Sequence, residues 1–431
     1  MVAEGVFAPG HLGELTQIAP FEMIDAILTA CRAVQERTRK LPARVVVYLL
    51  LAAGLFEECG YPAVWRKLTG ALSSLPIPQV TATALWHARC RLGVRPMRAL
   101  FDLLRGPGSA IRTAGARWAG LLVVAIDGTH LDVADDDAVR AKLGKGSTQY
   151  TDASGYPQVL LVALVACGTR AVIDAVFGPG KPGESILGRR LMRSLHPGVI
   201  VLLDRGFANK GFLNAVHTTQ AHFLARCPDG SFLSRIAGIE VRIVTCEITI
   251  ATSQGRLTGV YRLATTLLDP RTHPASELVT LYHERWEVES AFFELKKSML
   301  GRRVLRARSW PGIAQEIYAL LSTYQLIRIA ISDAAHATGT DPDRCGFTTA
   351  LNTARAQVIQ AANVIADTTI DLVGTIGTAV LDTLLPTRRL RLSPRAVKRP
   401  LSRYAYKSMK ADRRTYQATI DIEILTGPIS P

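Results

Sequence analysis

Residues 121–127 read LLVVAID, and this short stretch decides the fold that the sequence predicts. Its first six residues form an unbroken apolar run, which indicates a strand buried on both faces. Residues 198–204 read GVIVLLD, and an aspartate again closes an apolar run. Two buried strands that each end in an aspartate predict an α/β domain with acidic side chains at the rim of its sheet.

The segments around these two runs predict three strands followed by alternating helices and strands. They are residues 156–168 and 170–178 (two strands separated by a turn), 183–195 (an amphipathic helix), 209–220 (a helix) and 221–227 (a strand). The resulting order is β-β-β-α-β-α-β. We place this α/β domain at residues 118–335.

The N-terminal part of the chain, residues 1–115, carries apolar residues at helical spacing and predicts an all-α region. One of its helices begins at Thr81 or Thr83 as N-cap and ends at Gly93. This helix presents three basic side chains, His87, Arg89 and Arg91. It resembles the second helix of a DNA-reading helix-turn-helix, although the pattern by itself favours a plain bundle with an exposed basic face.

The remaining segments predict a β-rich insertion, further helices and a basic tail. Residues 228–272 contain short strands with turn signals, and a long helix begins near Pro274. We expect a helical region at 336–385 and a basic tail at 386–431. Between residues 388 and 414, eleven Lys or Arg residues stand against one Asp, a net charge of +10. So much charge with few large apolar residues predicts an extended DNA-binding arm.

Composition narrows the class of protein. The 431 residues are 48% hydrophobic and 20% charged, which is typical of a globular chain, and the net charge of +15 favours a nucleic-acid partner. The longest apolar run is too short to span a bilayer, and no signal peptide is visible, so we expect no membrane association. The seven scattered cysteines form no CxxC pair and indicate reduced thiols in a cytoplasm.

Asp127 and Asp204, which close the two buried strands, are candidates for metal ligands. Each by itself is more often a turn-forming residue than a catalytic one. In a sheet of this order, however, the two strand ends could lie close together and hold hard divalent cations through oxygen ligands.

A third carboxylate is expected from the helix that follows Pro274. Tyr282, Arg285, Glu289 and Lys296 are separated by 3, 4 and 7 residues, and these spacings put them on one helix face. The alternative is a solvated charged face, and the nearby acids Glu284, Glu287 and Glu294 fit that alternative. Trp286 is either a core aromatic or a platform on which a base stacks.

The segment at residues 282–297, YHERWEVESAFFELKK, resembles the Tyr-x2-Arg-x3-Glu-x6-Lys signature of bacterial insertion-sequence transposases of the DDE class, in the insertion-sequence-four family. VVAIDGT and LLDRGF resemble the two aspartate motifs of that family and contribute Asp127 and Asp204. Other similar stretches are CGTRAVIDAVFGP at 167–179, RCRLG at 89–93 and PRAVKRPLSRY at 394–404. The resemblance covers about residues 20–410.

The resemblance implies a DNA transposase with a ribonuclease-H-like catalytic core. Asp127, Asp204 and Glu289 would hold two Mg²⁺ ions, for which Mn²⁺ can substitute. Water attacks at the terminal inverted repeat, and the freed 3′-OH joins target DNA, with a hairpin as a possible intermediate. The residues that would contact DNA are Tyr282, Arg285, Trp286 and Lys296 near the scissile bond, and His87, Arg89, Arg91, Arg395, Lys398 and Arg399 elsewhere.

The resemblance also implies that the protein binds DNA, forms a homodimer when assembled on DNA, and is located in the cytoplasm in association with the nucleoid. Two alternatives stay open at this point. One is a ribonuclease-H-like nuclease that cuts without strand transfer. The other is a domesticated, non-catalytic DNA-binding protein derived from a transposase.

Overall fold

The computed structural model of the chain describes residues 11–35, 37, 39–72, 77–144, 155–227, 235–236, 238–252, 255–360, 373–386 and 418–425. At its centre is a mixed β-sheet, and LLVVAID opens the long central strand of that sheet. The strands are β1 (Arg117–Trp118), β2 (Leu121–Asp132), β3 (Gln158–Ala166), β4 (Val172–Pro179), β5 (Val199–Leu203), β6 (His222–Arg226), β7 (Arg235–Ile236), β8 (Ile239–Glu240), β9 (Arg242–Thr252), β10 (Gly255–Thr265) and β11 (Ala418–Ile424).

The helices flank this sheet and build the N-terminal and C-terminal regions. They are α1 (Leu15–Ile18), α2 (Phe21–Ala30), α3 (Ala43–Leu55), α4 (Tyr61–Thr69), α5 (Ala82–Leu92), α6 (Arg95–Leu104), α7 (Asp137–Leu143), α8 (Glu184–Gly188), α9 (Lys210–Thr218), α10 (Ala275–Tyr282), α11 (Trp286–Phe293), α12 (Trp310–Thr338), α13 (Phe347–Gln360) and α14 (Gly374–Asp382). The predicted limits of α5 are confirmed: Thr81 accepts a hydrogen bond from the Ala84 amide as N-cap, and Gly93 ends the helix at φ +69°.

Among the described residues, the strand order across the main sheet is β11-β9-β10-β6-β5-β2-β3-β4, with β1 beside β2 and β7–β8 as a separate hairpin. β2 runs antiparallel to β3 and parallel to β5, and β5 runs parallel to β6. The predicted sequence of three meandering strands followed by α/β alternation is therefore confirmed, with α7 as an additional helix between β2 and β3.

Both faces of β2 are buried, as its continuous apolar run predicts. Val123 and Ala125 belong to the core that contains α11 and α12, whereas Leu122, Val124 and Ile126 belong to the core that contains α8 and α9. The strand is covered by helices on each side, so water reaches it only near its end. This arrangement leaves the end of β2 as the place for polar chemistry.

Helix α12 is the common packing partner of the N-terminal and C-terminal helices. It contacts α3, α6, α13 and α14, and α3 and α12 share one hydrophobic core with a face of the sheet. The two helices approach closely at Gly54, where a Cβ would lie 2.8 Å from Thr323 Oγ1. The boundary that we predicted at residue 335 therefore falls inside α12, and residues 11–104 do not pack as a separate helical bundle.

The predicted β-rich insertion at 228–272 extends the main sheet. β9 and β10 form a long hairpin, and β10 pairs with β6, the last strand of the predicted core. At the outer edge, β11 pairs with β9. Part of the predicted tail, Ala418–Ile424, is therefore a strand, while residues 388–414, where we predict the basic arm, lie outside the described residues.

In the part of the chain that the structure describes, no helix combines the length and the apolar character that a membrane span requires.

Candidate active site

Asp127 and Asp204 each follow the last residue by which two parallel strands pair. The last paired residues of β2 and β5 are Ile126 and Leu203, and each aspartate is the next residue along its strand. β5 ends there, as expected. The expectation that Asp127 ends its strand is wrong, because β2 continues to Asp132 in pairing with β3.

Both aspartates point to the face of the sheet that α11 covers. Asp127 continues the alternation of Val123 and Ala125, and Asp204 continues that of Ile200 and Leu202, all of which pack in the same core as α11. Because α11 packs on β2 and β3, it brings Glu289 to this face. The sequence alternation and the helix position thus direct three carboxylates towards one region.

Arg285 lies among these carboxylates. Its Nη2 donates to Glu289 Oε1 at 3.0 Å, and its Nη1 lies 3.8 Å from Asp127 Oδ2. The charge of Asp204 also acts on this guanidinium. The Arg285 side chain is only 6% exposed, and its positive charge offsets those of the partly buried acids.

The Asp127 carboxyl is perturbed by its surroundings. Burial raises its pKa to about 6, and the charges of Glu184 and Glu289 act in the same direction. The Gly128 amide, which donates to Oδ1 at 2.8 Å, and the nearby Arg285 lower the pKa and oppose the effect of burial. A bound divalent cation would favour the ionised form.

The donor chemistry of this region fits a hard divalent cation, since Mg²⁺ prefers carboxylate oxygens. Asp127 and Glu289 line an open cleft of about 530 Å³, whose lining also includes basic residues. Across the described residues, no three His, Cys, Asp or Glu side chains are grouped tightly enough to hold an ion as they stand. The carboxylates would have to close around the metal, and Arg285 would have to give up part of its contact.

Two other residues of the predicted helix face also contact the strand ends. Tyr282 donates its hydroxyl to the Leu203 carbonyl at 3.1 Å, and burial raises the pKa of this phenol. Lys296 Nζ donates to Thr129 Oγ1 at 3.1 Å, and burial lowers its pKa. Tyr282 thus holds the backbone of the residue before Asp204 in place, and Lys296 lines the cleft near Asp127.

Trp286 is exposed rather than buried. Its side chain is 40% exposed, and the Arg285 guanidinium lies 5.1 Å from the ring centroid. Phe293, seven residues further on, is 53% exposed and lines the cleft, with Lys297 Nζ 4.7 Å from its ring centroid. Sequence reasoning missed Phe293, although a spacing of seven residues from Trp286 would have placed both aromatics on one side of the helix.

The three basic residues predicted to read DNA on α5 have different surroundings. His87 and Arg91 are exposed. Arg89 is buried, and its guanidinium lies 3.7 Å from the ring centroid of Tyr61. The assignment of Arg89 as a base reader is therefore wrong, because it packs inside the helical core. Arg395, Lys398 and Arg399 lie outside the described residues.

Glu184 is a fourth acid near the site that sequence reasoning missed. It lies in the first turn of α8, and a Cβ on Gly128 would come within 2.7 Å of its carboxyl group. Its charge also raises the pKa of Asp127. The glycine that follows Asp127 was the available signal, since glycine allows another group to approach the backbone closely.

The assignment of Glu287 and Glu294 to a solvated face is also wrong. Both residues are 7% exposed. Arg170 pairs with each of them, and Arg328 pairs with Glu294 as well. The helix that carries Glu289 therefore has a charged face in the cleft and a charged face in the interior.

Comparisons with known proteins point to one family. A family model described as "Insertion element 4 transposase N-terminal" matches residues 9–102, and one described as "Transposase DDE domain" matches residues 118–326. Transposase InsG for insertion sequence element IS4 of Escherichia coli (strain K12) is 25% identical over 405 residues, which cover 88% of this chain and 90% of that protein. Putative transposase InsZ of the same organism is 27% identical over 194 residues, 45% of this chain and 64% of that protein.

A solved structure of the piggyBac transposase synaptic complex with hairpin DNA aligns over 90% of this chain and 87% of that one, at 11% identity. Its TM-score is 0.44, which is too low to establish a shared fold, and its hairpin therefore says nothing about this chain. The two family models follow each other along the sequence, first over the N-terminal helices and then over the sheet with its acidic end. On these grounds the chain belongs to the DDE transposases of the insertion-sequence-four family, which are enzymes that act on DNA.

Proposed function

We propose that this transposase cuts DNA at the terminal inverted repeats of an insertion sequence and joins the freed 3′-OH ends to target DNA by two-metal-ion phosphoryl transfer. The observation that carries the proposal is the orientation of Asp127, Asp204 and Glu289. Asp127 and Glu289 line an open cleft, and the charges of all three carboxylates act on Arg285. The choice of terminal inverted repeats as the cutting sites, and the joining to target DNA, are inferred from membership of the family.

A ribonuclease-H-like catalytic core is part of the proposal. The order β4-β3-β2-β5-β6 supports it, since three antiparallel neighbours are followed by two parallel strands. It is further supported by the position of the two aspartates at the point where β2 and β5 part.

The residues have distinct proposed roles. Asp127, Asp204 and Glu289 hold the metal ions, and two bound Mg²⁺ ions (or Mn²⁺) would supply Lewis-acid activation of the nucleophile and the leaving oxygen. Arg285 turns from the carboxylates towards a DNA phosphate, where its planar fork can make two hydrogen bonds. Tyr282 keeps the end of β5 in place through the Leu203 carbonyl.

The cleft is suited to a DNA strand. Four basic residues line it together with two of the proposed metal ligands: Lys296, Lys297, Arg302 and Arg303 with Asp127 and Glu289. A phosphate backbone held by these basic residues would put one phosphodiester next to the carboxylates. His87 and Arg91 on α5 would contact the transposon end at a distance from the cleft, with a homodimer assembled on the paired ends.

Strand transfer distinguishes this proposal from a nuclease that only cuts. The assay supplies a pre-cut transposon end with a free 3′-OH, a supercoiled target plasmid and Mg²⁺. Covalent joining of the end to the plasmid supports the transposase reaction. Cutting of uncut ends without joining would support the nuclease, and binding without either reaction would support a non-catalytic DNA-binding protein.

Trp286→Ala is expected to separate the first nick from hairpin formation. A hairpin requires an unstacked base, and stacking on an aromatic ring contributes about 1–3 kcal/mol per base. Because Trp286 is 40% exposed, its loss should leave the melting temperature and the first nick nearly unchanged while hairpin yield falls. Both yields are measured on one end substrate, with Trp118→Ala as a control outside the cleft. A parallel loss of both steps in a destabilised protein, as for removal of a core aromatic at about 3–5 kcal/mol, contradicts the stacking role.

Replacing Arg395, Lys398 and Arg399 by alanine is expected to make DNA binding less dependent on salt. Each lost phosphate contact should reduce the slope of log affinity against log salt concentration by about 0.9. The measurement is a series of binding titrations on duplex DNA between low and moderate salt. As a control, exchange of Arg395 and Arg399 for lysine keeps the charge and should keep the slope. An unchanged slope in the alanine variant would show that these charges do not contact phosphates.

A further inference from the structure

Glu287 and Glu294 lie on the back of the helix that carries Glu289. Seven residues separate them, so they share one face, while Glu289 is two residues, or about 200°, away from Glu287 around the helix. The side chains of Glu287 and Glu294 are each 9% exposed, whereas that of Glu289 is 25% exposed. The helix therefore turns one acid to the cleft and buries two behind it.

A single guanidinium holds both buried acids. Arg170 Nε donates to Glu287, Nη1 donates to Glu294 Oε1 at 3.2 Å, and Nη2 donates to Asp343 Oδ1 at 2.9 Å. These partners belong to three elements: α11, the π-helical turn Glu294–Met299 that continues it, and the 3₁₀ turn Pro342–Arg344. The fork thus fixes the helix at two points on the same face.

Hydrogen bonds of its backbone hold Arg170 in place. It lies in the turn between β3 and β4, and its φ of +57° is uncommon for a residue other than glycine. Its amide donates to the Ala166 carbonyl at 2.8 Å, and its own carbonyl accepts from the Tyr324 hydroxyl at 2.9 Å. The guanidinium is therefore anchored to the sheet that carries Asp127.

We propose that Arg170 is a positioning residue that sets the rotation of α11 and so directs Glu289 towards Asp127 and Asp204. The proposal rests on the function proposed above. Arg170 grips α11 two residues before Glu289 and again five residues after it, so both contacts must shift if the helix rotates. A slip of one residue would turn Glu289 by about 100° away from the aspartates.

The alternative is that Arg170 only stabilises the fold, and Arg306 provides the matched control. Arg306 is also largely buried and pairs with an acid, Glu316, at 2.9 Å. Its other hydrogen bonds go to the carbonyls of Ala53, Phe56 and Cys59. Removing Arg306 should therefore lower stability without touching the back of α11.

The test compares Arg170→Met and Arg306→Met in the full-length protein by three measurements: the melting temperature, Mn²⁺ binding by electron paramagnetic resonance, and single-turnover nicking of end DNA in Mg²⁺. Outer-shell partners of a metal site change metal affinity or activity by about 10- to 100-fold. We expect Arg170→Met to weaken Mn²⁺ binding and nicking by about that factor. Arg306→Met should melt at a lowered temperature and bind Mn²⁺ as the wild type does. Arg170→Lys keeps the charge but loses the planar guanidinium. Its Mn²⁺ affinity and nicking rate should lie between those of the wild type and those of Arg170→Met.

Equal Mn²⁺ affinities in Arg170→Met and Arg306→Met overturn the positioning role. If Arg170→Met does not fold, Glu287→Gln replaces it, because the amide keeps the size of the side chain and weakens the grip of Arg170. An unchanged Mn²⁺ affinity in Glu287→Gln also overturns the role. If the wild-type protein neither binds Mn²⁺ nor nicks DNA, the proposed two-metal function itself is overturned. Failure of the proposed function is thus distinguished from failure of the positioning role of Arg170.

Discussion

Replacing Asp127, Asp204 or Glu289 by alanine is expected to abolish DNA cleavage while binding to the transposon end stays nearly intact. Each carboxylate is a proposed metal ligand, and its loss should cost well over the roughly 100-fold that is typical of outer-shell partners. End binding depends on phosphate and base contacts elsewhere, which these substitutions leave in place. Single-turnover nicking and an electrophoretic mobility assay on one end substrate measure the two properties.

Asp132→Asn is the matched control for this prediction. Asp132 lies on the same strand and lines the same cleft five residues beyond Asp127, and its carboxylate accepts from Gln158 at 2.8 Å. It should retain cleavage. Wild-type nicking rates in the alanine variants, or an equal loss in Asp132→Asn, would show that the three carboxylates have no special role.

Replacing Arg328 by methionine is expected to lower the free energy of unfolding by about 3–5 kcal/mol, the typical cost of breaking a buried ion pair by removing one partner. The Arg328 side chain is 1% exposed and pairs with Glu294, and its Nε donates to the Tyr324 hydroxyl at 3.2 Å. Methionine fills much of the space but leaves part of the Glu294 charge without compensation. Urea denaturation followed by circular dichroism measures the change.

Arg98→Met serves as the comparison for Arg328. Arg98 forms an exposed ion pair with Asp102 at 3.6 Å, with 55% of its own side chain exposed. Exposed pairs contribute about 0–1 kcal/mol, so this variant should unfold almost as the wild type does. Similar losses in the two variants would mean that the buried charges behind α11 are less tightly coupled than their geometry indicates.

The sequence predicted the sheet because its information there is local. The runs at 121–127 and 198–204 are apolar without interruption, and such runs have few alternatives to a strand covered on both faces. Because side chains alternate along a strand, the position of each closing aspartate fixes the face of the sheet to which it points. The spacing of four residues between Arg285 and Glu289 likewise puts these two side chains on one face of the helix. Local periodicity was therefore sufficient to name the candidate site.

The sequence did not reveal which charges are buried, because burial depends on partners far along the chain. Arg89 looks like a surface residue until Tyr61 is known to lie beneath it. Glu287 lies on a helix rich in charge, and its partner Arg170 is 117 residues away. A helical pattern records the spacing of polar residues but not whether another element supplies the opposite charge, so these assignments were wrong for one shared reason.

The position of α12 also has a consequence for synthesis of the protein. Every residue of α3 except Arg44 is buried, and α12 forms much of its cover. Roughly 200 residues separate the end of the N-terminal helices from α12, and their synthesis at about 5–20 residues per second takes roughly 10–40 s. Throughout that interval the nascent chain exposes an apolar helix without its partner. A gene truncated before Trp310 would therefore produce an aggregation-prone fragment and not a free DNA-binding domain.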